Sequence, residues 1–186
     1  MTKDVRARAR KIKLLLMDVD GVMTDGRIYY LPHVRVTGAT RSGRMVETKT
    51  FDSRDGLGLR LALDAGLKTG IISGRGSPVV EYRARELGIH FIVQDSLEKL
   101  RPYQTILRRA GLKDEEVCFI GDDIVDLPVL KRVGLAVGVG NGHPLLRRHV
   151  HYWTRCPGGM GAVRETIDLI LGAQGKLDAI VRRYLQ

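Results

Sequence analysis

The chain has 186 residues, of which 44% are hydrophobic and 5% aromatic, and it carries a formal charge of +10 at neutral pH. That length supports one sizeable core, and the sequence contains neither an uncharged apolar run of membrane-spanning length nor a secretory signal; the expectation is one cytoplasmic domain over residues 1–186. The charge suggests anionic partners, but few aromatic residues and no zinc-finger or recognition-helix pattern argue against nucleic acid, and two widely separated cysteines argue against a disulfide framework.

Residues 1–11 read as a basic helical turn or frayed arm. The apolar run from Ile12 to Met17 then reads as a buried parallel strand, and it ends in Asp18-Val19-Asp20-Gly21. The carboxyl end of such a strand is where α/β folds place their sites. Two aspartates one residue apart repel each other, and a magnesium ion with substrate phosphate is the simplest partner for them. With phosphate present, one carboxylate can attack phosphorus while the other carries the proton; the bland alternative is a solvated Asp-Gly turn.

Next come Arg27–Leu31 and Met45–Phe51, which have strand character and flank Pro32, Gly38 and Gly43. They predict a β-hairpin over about 27–51 with a long tip at 31–44 carrying Arg35, Arg41 and Arg44. Its unpaired edges call for a cover, and self-association through the hairpin is the natural one. A regular alternation follows: a helix from Gly56 to Ala65, a strand at Thr69–Ile72, a helix opened by Ser77-Pro78 and a strand at Ile89–Val93. Beyond these lie a helix from about Leu100 to Ala110, a strand at Val117–Ile120, a short helix at Leu127–Val133 and a final strand at Leu135–Val139. The tail holds a glycine-rich loop at Cys156–Gly161 and two helices. The fold class is therefore α/β, a three-layer doubly wound, mostly parallel sheet with a protruding hairpin after the first strand.

Four predicted strand ends carry polar residues in order: Asp18 and Asp20, then Ser73, then Lys99, then Asp122, Asp123 and Asp126. Singly each has an ordinary reading, as a helix cap or a surface lysine. Together they resemble the four motifs of the haloacid dehalogenase superfamily of phosphohydrolases. No segment has room for a cap domain, so the resemblance is to the capless members. Asp-Gly-Val-Met-Thr-Asp-Gly, Ser53–Gly58, Ser-Gly-Arg-Gly-Ser, Asn141–Pro144 and Gly-Gly-Met-Gly-Ala-Val-Arg-Glu narrow it to the 3-deoxy-D-manno-octulosonate 8-phosphate phosphatases.

That resemblance implies a magnesium-dependent phosphomonoesterase of lipopolysaccharide synthesis. Asp18 is the nucleophile that forms an aspartyl-phosphate, and Asp20 the acid and base. Ser73, Gly74 and Lys99 hold phosphate. Asp18, the Asp20 carbonyl and Asp122 bind the metal, with Asp123 and Asp126 behind them. Arg75 and Arg83, eight residues apart and assigned to one helical face, recognise the substrate's carboxylate. Arg54 is a further candidate that could instead support the hairpin or pair with Asp55. The family also implies a homotetramer joined through the hairpins. Rival readings are a phosphatase for the nine-carbon acid phosphate or for sugar phosphates more broadly, a nucleic-acid 3′-phosphatase, and a non-catalytic basic assembly protein.

Overall fold

The computed structural model describes residues 2–37 and 40–185. Among the described residues, strands β1 (Leu14–Met17), β2 (Tyr29–Thr37), β3 (Thr40–Thr48), β4 (Lys68–Ile72), β5 (Phe91–Val93), β6 (Val117–Gly121), β7 (Leu135–Gly138) and β8 (Tyr152–Trp153) are joined with seven α-helices. The helices are α1 (Lys3–Lys11), α2 (Ser53–Asp64), α3 (Pro78–Glu86), α4 (Leu100–Ala110), α5 (Leu127–Leu130), α6 (Ala162–Ala173) and α7 (Leu177–Tyr184).

Six strands form one sheet in the order β5-β4-β1-β6-β7-β8, and every pairing in it is parallel. β1 lies between β4 and β6, with Leu16 opposite Gly70 on one side and Phe119 on the other. The chain winds outward from β1 to β5, then returns to the other side at β6. The strand order thus reverses at β1, and the crevice beyond its carboxyl end is where doubly wound sheets bind ligands.

β1 is apolar throughout because both its faces are covered. Leu15 and Met17 pack with Val5 and Ala9 of α1, Leu59 and Ala62 of α2, Val80 of α3, and Ile167 and Ile170 of α6. Leu14 and Leu16 face the other way, toward Tyr103 and Ile106 of α4 and Val129 and Leu130 of α5. Three layers result, as the alternation predicts. Among the described residues no helix is long and apolar enough to cross a membrane.

Several expectations are corrected. The basic arm is a helix, capped by Thr2 and anchored by its buried Val5 and Ala9. The hairpin has longer strands and a shorter tip than expected: β2 and β3 stay in register from Tyr29 opposite Thr48 to Thr37 opposite Thr40. Residues 38 and 39, and the side chains of Arg35, Arg41 and Arg44, lie outside the described residues. β7 is not the last strand, because β8 extends the sheet by two residues. The apolar positions expected from the sequence for the helix after Asp55 are Leu57, Leu61 and Leu63, but Leu57 is exposed, and Leu59 and Leu61 carry the buried face of α2. Ser77 occupies the N-cap of α3, but its hydroxyl is buried without a partner and makes no cap hydrogen bond.

Candidate active site

The turn after β1 is built to fold its carboxylates back over the sheet. Thr24 is buried beneath it and its Oγ accepts from the amides of Gly21 and Gly26 while donating to the Val19 carbonyl. Gly21 has φ +89°, and a β-carbon there would collide with the Asp122 carboxylate, so glycine is required both for the turn and for the approach of the fourth motif. The glycine-rich tail loop closes over the same turn. Gly159 N–H donates to the Val22 carbonyl at 2.8 Å, Gly158 N–H donates to Asn141 Oδ1 at 2.8 Å, and a side chain at Gly158 would strike the Gly21 carbonyl. Asp55 of α2 secures this loop by accepting from Gly161 N–H and Arg164 N–H at the start of α6.

Asp18, Asp122 and Asp126 bring one carboxylate oxygen each to within 4.8 Å of one another. Lys99, buried at the start of α4, enters the same cluster: its Nζ lies 2.9 Å from Asp18 Oδ1 and 2.7 Å from Asp126 Oδ1. Asp126 is fully enclosed and also accepts from Asp122 N–H through Oδ2, which fixes the motif's backbone. Asp18 Oδ1 accepts from Val19 N–H at 2.7 Å, while Oδ2 has no donor among the described residues.

Three carboxylates, two buried and one half-buried, face one ammonium, leaving two negative charges uncompensated. Burial first, then the neighbouring carboxylates, pushes the Asp122 carboxyl up to about 8. Burial, opposed by Lys99, raises Asp18 to about 6. Although burial works against its charge, Asp126 and Asp18 hold the Lys99 ammonium above its usual range. A divalent cation supplies the two missing charges, and an all-oxygen carboxylate set is the donor chemistry magnesium prefers. The cluster therefore fits the expected metal.

This imbalance sets a pH dependence. A carboxyl raised in the folded state holds a proton there that the unfolded chain has released, so metal-free stability falls as pH rises from about 4 through the folded values near 6 and 8. Thermal melts in chelator at about pH 5.5 and 8.5 should show the lower midpoint at the higher pH, and magnesium should restore most of the difference. A metal-free midpoint that climbs over this interval would contradict the assigned imbalance.

The remaining expected residues fall into two groups. Ser73 is buried at the end of β4, its hydroxyl donating to the Arg75 carbonyl at 3.0 Å, and Gly74 follows it on the same turn. Asp20 is not one of the converging trio, and its carboxylate pairs with Lys49. Asp123 is exposed and accepts from Ile124 N–H, so it caps the turn after β6 and is not one of the converging carboxylates; Asp126 takes the inner place. The shared helical face of Arg75 and Arg83 is also corrected, since Arg75 precedes α3 and only Arg83 lies on it. Arg75 Nη2 meets Glu47 Oε2 at 2.5 Å and its Nε lies 3.7 Å from Asp20 Oδ2, whereas Arg83 pairs with Glu86 and stands over Phe51. Arg54 pairs with Asp52, not Asp55, and reaches the Met160 carbonyl of the glycine loop at 2.9 Å.

Glu47 and Lys49 escape the motif reading. Lys49 has a side chain only 1% exposed, in an ion pair with Asp20 and at 3.1 Å from Glu47 Oε1. Their alternation in Glu47-Thr48-Lys49 places both on one face of the hairpin's last turn, the only sequence signal they give.

The haloacid dehalogenase-like hydrolase profile matches residues 54–134. The chain is 43% identical to 3-deoxy-D-manno-octulosonate 8-phosphate phosphatase of Escherichia coli over 96% of its own length and 89% of that enzyme's. The crystal structure of the corresponding phosphatase from Yersinia pestis superposes with a TM-score of 0.87 at 44% identity, covering 96% of this chain and 90% of that one. The Moraxella catarrhalis phosphatase, solved with magnesium ion, phosphate ion and KDO, gives a TM-score of 0.89 at 36% identity over 99% of both chains. With the motif residues at the switch point of the sheet and relatives matched along nearly their whole length, the chain belongs to the 3-deoxy-D-manno-octulosonate 8-phosphate phosphatase family of haloacid dehalogenase-like hydrolases.

Proposed function

We propose that the chain is a single hydrolase unit that removes phosphate from 3-deoxy-D-manno-octulosonate 8-phosphate with the help of magnesium, releasing the free eight-carbon acid in the cytoplasm for lipopolysaccharide synthesis. The observation that carries this reading is the convergence of buried Asp18 and Asp126 with half-buried Asp122 around a single lysine at the carboxyl end of β1. Asp18 and Asp122 would hold the ion together with the Asp20 carbonyl, and Asp126 would stand behind them. When bound, magnesium supplies positive charge beside the phosphoryl oxygens and the carboxylates.

The chain's own residues account for the rest. Asp18 Oδ2 is the oxygen left to attack phosphorus, since Oδ1 is held by Lys99 and the Val19 amide. Asp20 gives a proton to the departing sugar oxygen, then takes one from the water that releases phosphate from Asp18. Ser73, the Gly74 backbone and Lys99 surround the phosphoryl group. Lys99 also lowers the repulsion between an anionic nucleophile and an anionic substrate.

Arg75 is our candidate for the substrate's carboxylate, and the hairpins of neighbouring subunits would close the exposed site in a homotetramer. Tyr30, Leu31 and Met45 are large apolar residues left in solvent on that hairpin, which favours such an assembly. Arg75→Ala should raise KM for the sugar-acid phosphate by about 10- to 100-fold, the usual worth of a hydrogen bond to a charged group, and leave an aryl phosphate little changed. Equal losses on the two substrates would move Arg75 to the phosphate or to the fold.

Phosphate release from eight-carbon and nine-carbon sugar-acid phosphates, hexose phosphates and a 3′-phosphorylated oligonucleotide, each with magnesium and with chelator, tests the whole reading. Preference for the eight-carbon acid supports it. A spread across the sugars discards the named substrate, and inactivity on all of them discards the phosphatase.

A further inference from the structure

Lys49 is among the most enclosed charges of the described residues, and no step above uses it. It follows directly on β3 at the root of the hairpin, where the chain turns back toward α2. Its ammonium lies between Asp20 Oδ1 and Glu47 Oε1, and Glu47 Oε2 in turn binds Arg75. Asp20, Glu47, Lys49 and Arg75 form a closed ring of two carboxyl groups and two cations, neutral while Asp20 is ionised and carrying one positive charge when Asp20 holds the proton it delivers. The adjoining trio is not neutral. Burial opposes the charge on Glu47, yet Lys49 and Arg75 carry its carboxyl below the usual range.

The ring treats the two Asp20 oxygens differently. Oδ1 is taken by Lys49, while Oδ2 accepts no hydrogen bond among the described residues and has only the Arg75 Nε at 3.7 Å. We propose that Lys49, braced by Glu47, is a positioning residue for proton delivery: by holding Oδ1 it fixes the Asp20 carboxyl so that Oδ2 faces the reacting phosphate ester. The inference rests on the reading of Asp20 as general acid. In the step concerned, Asp18 Oδ2 forms a bond to phosphorus as the bond from phosphorus to the ester oxygen breaks. The proton on Asp20 Oδ2 passes to that oxygen, leaving an alcohol, an aspartyl-phosphate and an Asp20 carboxylate.

An acid that is held in place matters most when the leaving group is poor. The test is therefore the dependence of kcat/KM on leaving-group acidity, along a series from 4-nitrophenyl phosphate to phenyl phosphate, for the parent, Lys49→Met and Lys49→Arg in saturating magnesium. General-acid assistance is worth about 10²- to 10⁴-fold, so misplacing Asp20 should cost Lys49→Met about tenfold or more extra on phenyl phosphate relative to 4-nitrophenyl phosphate. Lys49→Arg should recover most of that gap, and the thermal shift on adding magnesium should match the parent's.

A loss of equal size along the series would overturn the inference alone and make Lys49 a clamp for the hairpin. An unchanged kcat/KM would overturn it too. Should Lys49→Met not fold, Glu47→Gln, which removes the brace at nearly constant volume, is expected to give the same tilt in smaller measure, and a parallel series would again refute it. A parent inactive on every member would overturn the phosphatase reading and this inference with it.

Discussion

Asp18→Asn should lower kcat by at least about 10⁴-fold on every substrate, leaving no phosphorylated protein detectable by intact-mass analysis after acid quench. The amide keeps the shape of the side chain and has no anionic oxygen to form a bond to phosphorus. Nor should the variant be less stable than the parent in chelator. Burial raises the Asp18 carboxyl to about 6, so above that pH the parent carries a charge there that the folded state disfavours, and the amide removes it. A variant that loses turnover while matching or exceeding the parent's metal-free melting midpoint above pH ~6 is the expected pair of results. Wild-type turnover would remove Asp18 as nucleophile, whatever the melt shows.

Lys99→Met should be the most damaging single change to the fold near the site. It leaves buried Asp18 and Asp126, with half-buried Asp122 beside them, without a compensating charge, and breaking a buried pair by deleting one partner costs about 3–5 kcal/mol. Urea denaturation of the metal-free protein should show this loss, and magnesium should recover part of it by mass action. Asp126→Asn in the same chain should restore much of the stability, because one carboxylate leaves with the lysine that served it. Activity should not return, since the phosphoryl group would still lack its lysine. Additive destabilisation in the double variant would mean that Lys99 and Asp126 are not coupled in the way their 2.7 Å separation implies.

The central motifs, the lysine apart, were readable because each sits where a buried strand stops. Parallel strands are apolar runs, and a carboxylate or hydroxyl directly after such a run, as at Asp18, Ser73 and Asp122, has few reasons to be there other than the site, whereas Lys99 stands six residues beyond the half-buried β5 and is legible only from its order among the others. The Asp18, Asp122 and Asp126 convergence needed only the order of strands, not their exact register. Residues that depend on how a loop folds back were less accessible. Lys49 looks like one more polar residue in an alternating strand, and only the path of the hairpin root brings it to Asp20. Arg75 and Arg83 were placed together by counting residues as though the helix began earlier. The turn at Gly74 and Gly76 delays α3 until Pro78 and directs the two guanidinium groups to different partners. β8 spans two residues, too few for an alternation to declare itself. Ser77 has the composition of a cap without its hydrogen bond, because residue type fixes what a side chain is able to do and the surrounding packing decides whether it does so.

The seat of the tail loop on the first turn also sets a timetable for synthesis. β1 leaves the ribosome ahead of the strands that pair beside it: its first sheet neighbour begins only at Lys68, its second at Val117, and the glycines that rest on the Gly21 turn at Gly158. At the usual pace of about 5–20 residues per second, some 7–27 s pass between translation of that turn and of the glycine that covers it. For that interval the nascent chain has its two leading aspartates and gains both sheet neighbours of β1, but cannot complete the pocket around the aspartates. The catalytic turn is made well before the loop that completes it, so an arrested or truncated product ending before the tail loop would expose β1-side apolar surface while lacking a finished site.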